Sequence, residues 1–238
     1  MISGTFKILF LIGRPAAGKS EIISFLKSLP AEERSTIYHI GDFYEIDDFP
    51  MIWTWFEEDA ILTRNGKPRL YTDHDGYFKF NYLWNLLIER LEMEYWKMES
   101  SSLTGGDTAV IEFARGMQHG GFSEAFSHFS DKLLRRAAVL YIDVSFEESM
   151  RKNRKRFNPD KPYSILEHAL PDDKLNRLYG ESDWHELSSA NPDYLHLKGT
   201  RVPYMVFENK DDVTTKAGEA LAGRLHQRLD ELWEKHNS

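Results

Sequence analysis

Eight residues near the N-terminus constrain this chain more than anything else in it. Gly13-Arg14-Pro15-Ala16-Ala17-Gly18-Lys19-Ser20 matches G-x-x-x-x-G-K-[ST] in full, directly after the apolar run Ile8–Ile12 and directly before an amphipathic stretch. With glycine near 7% of residues, a chance match in a chain of this length is about one in a hundred. The chemistry explains the spacing. Glycines let successive backbone N–H groups turn inward around an anion, and the helix that follows points its N-terminus at the same place. Gly13, Ala16, Ala17 and Gly18 therefore read as a phosphate cradle, with Glu21 next along the helix. Lys19 is placed to reach the β- and γ-phosphates, and the Ser20 hydroxyl to ligate Mg²⁺. ATP and Mg²⁺ are the expected donor and cofactor.

Around that motif, short apolar runs alternate with helical patterns. Phe6–Ile12, Ser35–Ile40, Thr108–Phe113, Ala137–Val144 and Arg201–Phe207 read as buried parallel strands. Helices are expected over Lys19–Ser28, Tyr82–Met98, Phe122–Leu134, Phe146–Arg156 and Thr215–Lys235. Such alternation implies α/β architecture, a sheet of about five parallel strands with helices on both faces in three layers. The 238 residues suit one domain spanning 1–238. Two segments are too long for simple connections. Residues 43–107 are rich in aromatics and read as an acceptor-binding helical insertion; residues 151–198, marked by Pro159, Pro162, Pro171 and Pro192, read as a lid region.

In doubly wound sheets ligands sit at the carboxyl ends of the strands. The second strand is expected to end in Gly41-Asp42-Phe43-Tyr44, which offers Asp42 as a general base for an acceptor hydroxyl. The third ends in Glu112-Phe113-Ala114-Arg115: an acid delivered by an apolar strand suits the Mg²⁺ shell, and Arg115 suits a phosphate. Met150–Arg156 carries Arg151, Arg154 and Lys155 at i, i+3 and i+4 spacing. With Arg156, these cations are candidates to close over the γ-phosphate and neutralise transition-state charge. Asn209-Lys210-Asp211-Asp212 fits N-K-x-D, a pattern by which GTPases read guanine. The D-x-x-G that should follow the third strand of such a protein is absent, however, since those residues are Glu112-Phe113-Ala114-Arg115-Gly116.

Taken in order, these residues resemble the P-loop nucleoside and nucleotide kinase superfamily. Gly41-Asp42-Phe43-Tyr44 looks like the segment after the second strand of uridine kinases, where an aspartate contacts the acceptor hydroxyl. Glu112–Gly116 is similar to the acid-plus-arginine segment of deoxynucleoside and thymidylate kinases. Arg151, Arg154 and Arg156 look like the arginine-bearing lid, and Phe207-Glu208-Asn209 resembles the fifth-strand ending near the donor base. The resemblance implies a P-loop kinase fold and transfer of the γ-phosphoryl group to a small molecule. The expected set is Lys19, Asp42, Glu112, Arg115, Arg151 and Arg154 for catalysis, Ser20 and Glu112 for the metal, and Arg156 and Asn209 beside the nucleotide. A nucleoside or nucleotide is the favoured acceptor. A kinase of another hydroxylated metabolite (a sugar acid, vitamin precursor or antibiotic) and a nucleotide-dependent switch are the rivals.

Composition trims the field. A net charge of −8 argues against binding nucleic-acid polymers, which needs a basic face. The absence of cysteine removes thiolate nucleophiles, thiolate metal sites and disulfides. The apolar run Ile8–Ile12 is too short for a signal-peptide core, and no apolar segment is long enough for a membrane helix. A cytoplasmic protein without a membrane partner is expected, with a homodimer left open. Within 43–107, Tyr44, Phe49, Trp53, Trp55, Phe56, Tyr71, Tyr77, Phe78 and Trp84 are candidates to line an acceptor pocket, with Arg64 to grip an anion. Packing within the insertion accounts for most such rings. His74, between Asp73 and Asp75, reads as a polar turn.

Overall fold

The computed structural model describes residues 4–156, 160 and 169–238. In chain order the elements are β1 (Ile8–Gly13), α1 (Lys19–Ser28), α2 (Ala31–Ile37), β2 (Phe43–Asp47), α3 (Phe49–Arg64), α4 (Tyr82–Ser101) and β3 (Thr108–Phe113). After a 3-10 turn at Met117–His119 come α5 (Gly121–Ser127), α6 (Asp131–Leu134), β4 (Ala137–Asp143), α7 (Phe146–Arg156), α8 (Asp172–Tyr179) and α9 (Trp184–Ser189). The chain ends with β5 (Tyr194–Leu197), β6 (Thr200–Glu208), α10 (Val213–Lys216) and α11 (Gly218–His236).

The sheet runs in the order β2-β3-β1-β4-β6-β5. Its first five strands pair in parallel, and β5 joins the edge antiparallel to β6. Alternation within the strands divides the core. Ile8, Phe10, Ile12, Ile111, Phe113, Val139 and Tyr141 face one side, where Ile88, Leu91 and Tyr95 of α4 and Phe122 and Phe126 of α5 cover them. Leu9, Leu11, Val110, Leu140 and Ile142 face the other, under Ile22, Ile23 and Leu26 of α1 and Leu221, Leu225, Leu229 and Leu232 of α11. These alternating faces make the three layers. β1 leads leftward to β2 and β3 leads rightward to β4, so β1 and β3 form the switch point where the strand order reverses.

Three expected elements differ. Ser35–Ile40 is not a strand: α2 occupies Ala31–Ile37, started by Pro30 and by Glu32 and Glu33 in its first turn. The second strand is Phe43–Asp47 instead, with only Ile46 buried, so it lacks the apolar run that marks the others. The expected helix Phe122–Leu134 breaks into α5 and α6, because Ser130 accepts from Leu133 N at 3.3 Å and starts a new turn. The edge strand β5 is an addition, joined to β6 by a two-residue turn with Lys198 and Gly199 at φ 50° and 81°.

Of the expected lid region, residues 157–159 and 161–168 lie outside the described residues. Its later part belongs to the body: Leu175, Tyr179 and Trp184 are buried, and Trp184 stacks on Tyr141 of β4 with centroids 4.0 Å apart. Among the described residues no helix is long and apolar enough to cross a membrane.

Candidate functional site

The Gly13–Ser20 loop leaves the carboxyl end of β1 and enters α1 at Lys19. Its tight curl needs unusual backbone. Gly18 has φ 115°, and a Cβ there would lie 2.5 Å from Thr214 Oγ1 and 2.7 Å from Asn209 Nδ2, so the position takes only glycine. Ala16 is also left-handed at φ 55°. Lys19 is buried; its Nζ donates to Arg14 O at 3.2 Å and lies 3.7 Å from Glu112 Oε1.

Glu112, one residue before the end of β3, is in register with Asp47 at the end of β2, so two carboxylates stand side by side on adjacent parallel strands. Both line a cleft of about 840 Å³ together with Ala16, Ala17, Lys19 and Ser20. Burial pushes the Glu112 carboxyl above its ordinary value, against the pull of Lys19. Burial and the neighbouring Glu112 and Asp48 charges push Asp47 up to about 8. Crowded, desolvated carboxylates beside a hydroxyl are a set that a divalent cation relieves. No group of three or more His, Cys, Asp or Glu among the described residues holds a metal alone. Mg²⁺ takes one or two carboxylates and leaves the rest of its octahedron to phosphates and water. Ser20 and Glu112 fit it, with Asp47 beside them.

Asp42 is corrected by this geometry. It precedes β2, at the amino end of the sheet, and its backbone carbonyl accepts from Thr108 N at 2.9 Å where β3 begins. Its carboxylate pairs with Arg34 Nη2 at 2.6 Å and is otherwise exposed. The one-strand shift from 35–40 to 43–47 carries the acid at the strand's end from Asp42 to Asp47.

Arg115 does not line the cleft either. It is buried; its Nη1 donates to Asp48 Oδ2 at 2.6 Å and to Ala114 O at 2.7 Å, and its Nη2 donates to Trp84 O at 3.2 Å. A guanidinium so satisfied ties β3 to the start of α3. Arg151 and Arg154 are on the outer face of α7, paired with Glu148 and Asp212 and with Asp172. Arg156 is the member of the basic group that lines the cleft beside Lys19 and Ser20. Asn209 is buried behind the loop: its Nδ2 donates to Ala17 O at 2.8 Å and to Thr214 Oγ1 at 2.7 Å.

The cleft continues into a second chamber of about 720 Å³, sharing Phe49, Ile52, Leu170 and Tyr179. Phe56, Tyr77, Phe78 and Trp84 give it aromatic walls, and Asn81, Gln118 and Arg177 add polar groups. Arg177 stacks over Tyr77, 4.2 Å from the ring centroid. Of the other candidate rings, Trp55 stacks on Tyr71 at 5.0 Å and packs within the insertion, while Tyr44, Trp53 and Arg64 line neither chamber. His74 is in a turn whose Asp73 carboxylate accepts from Asp75 N and Tyr77 N at 3.0 and 2.8 Å.

Sequence reasoning missed Asp47, Asn153 and Tyr179. Asp47-Asp48-Phe49-Pro50 does carry a signal, two acids followed by a proline that opens a helix. Asn153 brackets Leu170, donating to its carbonyl at 2.7 Å and accepting from its amide at 3.1 Å, a contact no local pattern reveals.

No family model matches the chain, and no curated protein matches it. Among solved structures it is similar to an unliganded sugar kinase from Janibacter sp. HTCC2649 at 15% identity and a TM-score of 0.40, covering 94% of this chain and 95% of that one. It is also similar to TT1252 from Thermus thermophilus at 12% identity and a TM-score of 0.43, covering 98% and 99%. At such identities and TM-scores neither likeness bears on this chain's chemistry.

Proposed function

We propose that this protein is a P-loop phosphotransferase that moves the γ-phosphoryl group of a nucleoside triphosphate to a small-molecule hydroxyl or phosphate. One observation carries the reading: Lys19, Ser20, Glu112 and Asp47 converge on one cleft that runs on into an aromatic chamber. A hydrolytic switch needs the cradle but has no use for the chamber. Flat aromatic walls with amide and guanidinium groups favour a nucleoside or nucleotide as acceptor.

In this reading the loop amides and Lys19 hold the β- and γ-phosphates. Mg²⁺, held by Ser20 and Glu112, supplies charge neutralisation and alignment. Asp47 orients the acceptor hydroxyl and takes its proton. Arg156 stands over the cleft to offset charge developing on the transferred group.

Asp47→Asn tests the assignment. The amide keeps the oxygen that accepts from Phe49 N, 3.0 Å away, so folding and nucleotide binding should persist. Transfer should fall by roughly 10²–10⁴-fold. Asp42→Asn, at the opposite sheet end, should keep full transfer. The reverse pattern would return the base to Asp42 and remove this account of the site.

A further inference from the structure

The aromatic chamber carries one charge. Of the side chains that line it, Arg177 alone is ionised at neutral pH. Its guanidinium lies over the Tyr77 ring, 4.2 Å from the centroid, a stacking that fixes the plane of the group and leaves its N–H edge free. The helix that bears it, α8, is anchored by buried Leu175 and Tyr179. Arg177 is exposed and forms no ion pair among the described residues; Asp173, four positions earlier on the same helix, does not pair with it. Lys174 also approaches Tyr77, at 5.1 Å, but it donates to Asp75 O and does not line the chamber.

The transfer end has the opposite character. Asp47 and Glu112 line the cleft and not the chamber, Arg177 lines the chamber and not the cleft, and Phe49 and Tyr179 are walls common to both. Asp48 also borders the cleft, although Arg115 pairs with it. An anionic group of the acceptor, brought beside these carboxylates and a γ-phosphate, meets like charge at short range, whereas a hydroxyl meets acceptors for its proton. The same anion placed in the chamber finds an unpaired guanidinium, whose planar fork matches a carboxylate or a phosphate with two N–H bonds. A neutral nucleoside leaves that guanidinium unmet.

We propose that the acceptor is an anionic hydroxy compound: a planar ring between the aromatic walls, with its hydroxyl toward Asp47 and a carboxylate or phosphate on Arg177. In the transfer the hydroxyl oxygen bonds the γ-phosphorus, the bond from that phosphorus to the β–γ bridging oxygen breaks, and the hydroxyl proton passes to Asp47. The distal anion takes no part in these bonds; it fixes which hydroxyl points at the cleft. The inference rests on reading the cleft as the transfer site.

The test titrates the full chain, with Mg²⁺ and ADP saturating the Gly13–Ser20 loop, against benzoate, phenyl phosphate and benzamide, and reads each Kd from NMR shift changes. The first two carry the two candidate anions, and the third is a ring of the same size without charge. The tighter of benzoate and phenyl phosphate, which names the anion, is expected to bind about 10-fold better than benzamide. Arg177→Gln should bring all three to one Kd, and Arg177→Lys, which keeps the charge and loses the fork, should retain part of the preference. Equal binding of the three probes, failure of all three to bind, or a preference that survives Arg177→Gln overturns the anionic acceptor and leaves the phosphotransferase reading standing. Failure of ADP itself to bind overturns both.

Discussion

His119 shows how one buried ring makes the whole protein sensitive to acid. It lies against Trp84 with centroids 3.9 Å apart, and its Nδ1 accepts from Gly116 N at 3.3 Å. Burial, with the nearby Arg115 charge, pushes its pKa down to about 3. The unfolded chain takes up a proton near 6.5 and the folded one does not, so the unfolded state binds more protons between those values. Stability is therefore whole above pH 6.5 and lost as pH falls toward 3, by at most about 1.4 kcal/mol per pH unit. Unfolding midpoints taken at several pH values should show that slope, and His119→Gln should flatten it; an unchanged slope would place the acid sensitivity elsewhere. Arg115, which the sequence offers as a phosphate ligand, belongs to the same buried group: it donates to Trp84 O and pairs with Asp48. Residue type and strand position marked it as functional, but only tertiary contact shows that its donors are already satisfied.

At the scale of elements, the turn between α3 and α4 is held by one buried carboxylate. Asp59 of α3 is fully buried and accepts from the backbone amides of Tyr71 and Thr72 at 3.0 and 2.6 Å, from Leu70 N, and from the Thr72 hydroxyl at 2.7 Å. These bonds hold its pKa below the usual carboxylate value despite burial. Asp59→Asn replaces one acceptor oxygen by a donor facing N–H groups and should cost about 2–3 kcal/mol. A denaturant midpoint that does not move would mean the turn is held by other contacts. The turn leads into Tyr77 and Phe78 of the second chamber, so the variant should also weaken acceptor binding before donor binding. β1, β3 and β4 were legible in the sequence because strands buried on both faces are apolar throughout. β2 was not: it is half-exposed, and Ser35-Thr36-Ile37-Tyr38 just before it has the β-branched and aromatic character of a strand. What the composition of that stretch hides is a start signal, Pro30 with Glu32 and Glu33, that puts it in a helix.

For the whole molecule, the order β2-β3-β1-β4-β6 brings the ends of β1, β2 and β3 to one edge. The Gly13–Ser20 loop was readable as eight consecutive residues between a strand and a helix, because its pattern is local. The aromatic chamber was not readable, since its walls come from α3, the 76–81 turn, α4, the 3-10 turn and α8. The aromatics of 43–107 were visible as a set, but which of them face the cleft depends on how α3 and α8 pack. The central claim is that the two chambers serve one transfer reaction. It is tested most directly by incubating the protein with Mg²⁺, GTP or ATP and pools of nucleosides, nucleotides and hydroxylated metabolites, reading products by mass spectrometry. The account predicts that one pool gains a species heavier by one phosphoryl group, in a reaction lost with Lys19→Ala and Asp47→Asn and kept with Asp42→Asn. Tight nucleotide binding that yields only inorganic phosphate with every pool would contradict it, and would make the protein a nucleotide-dependent switch.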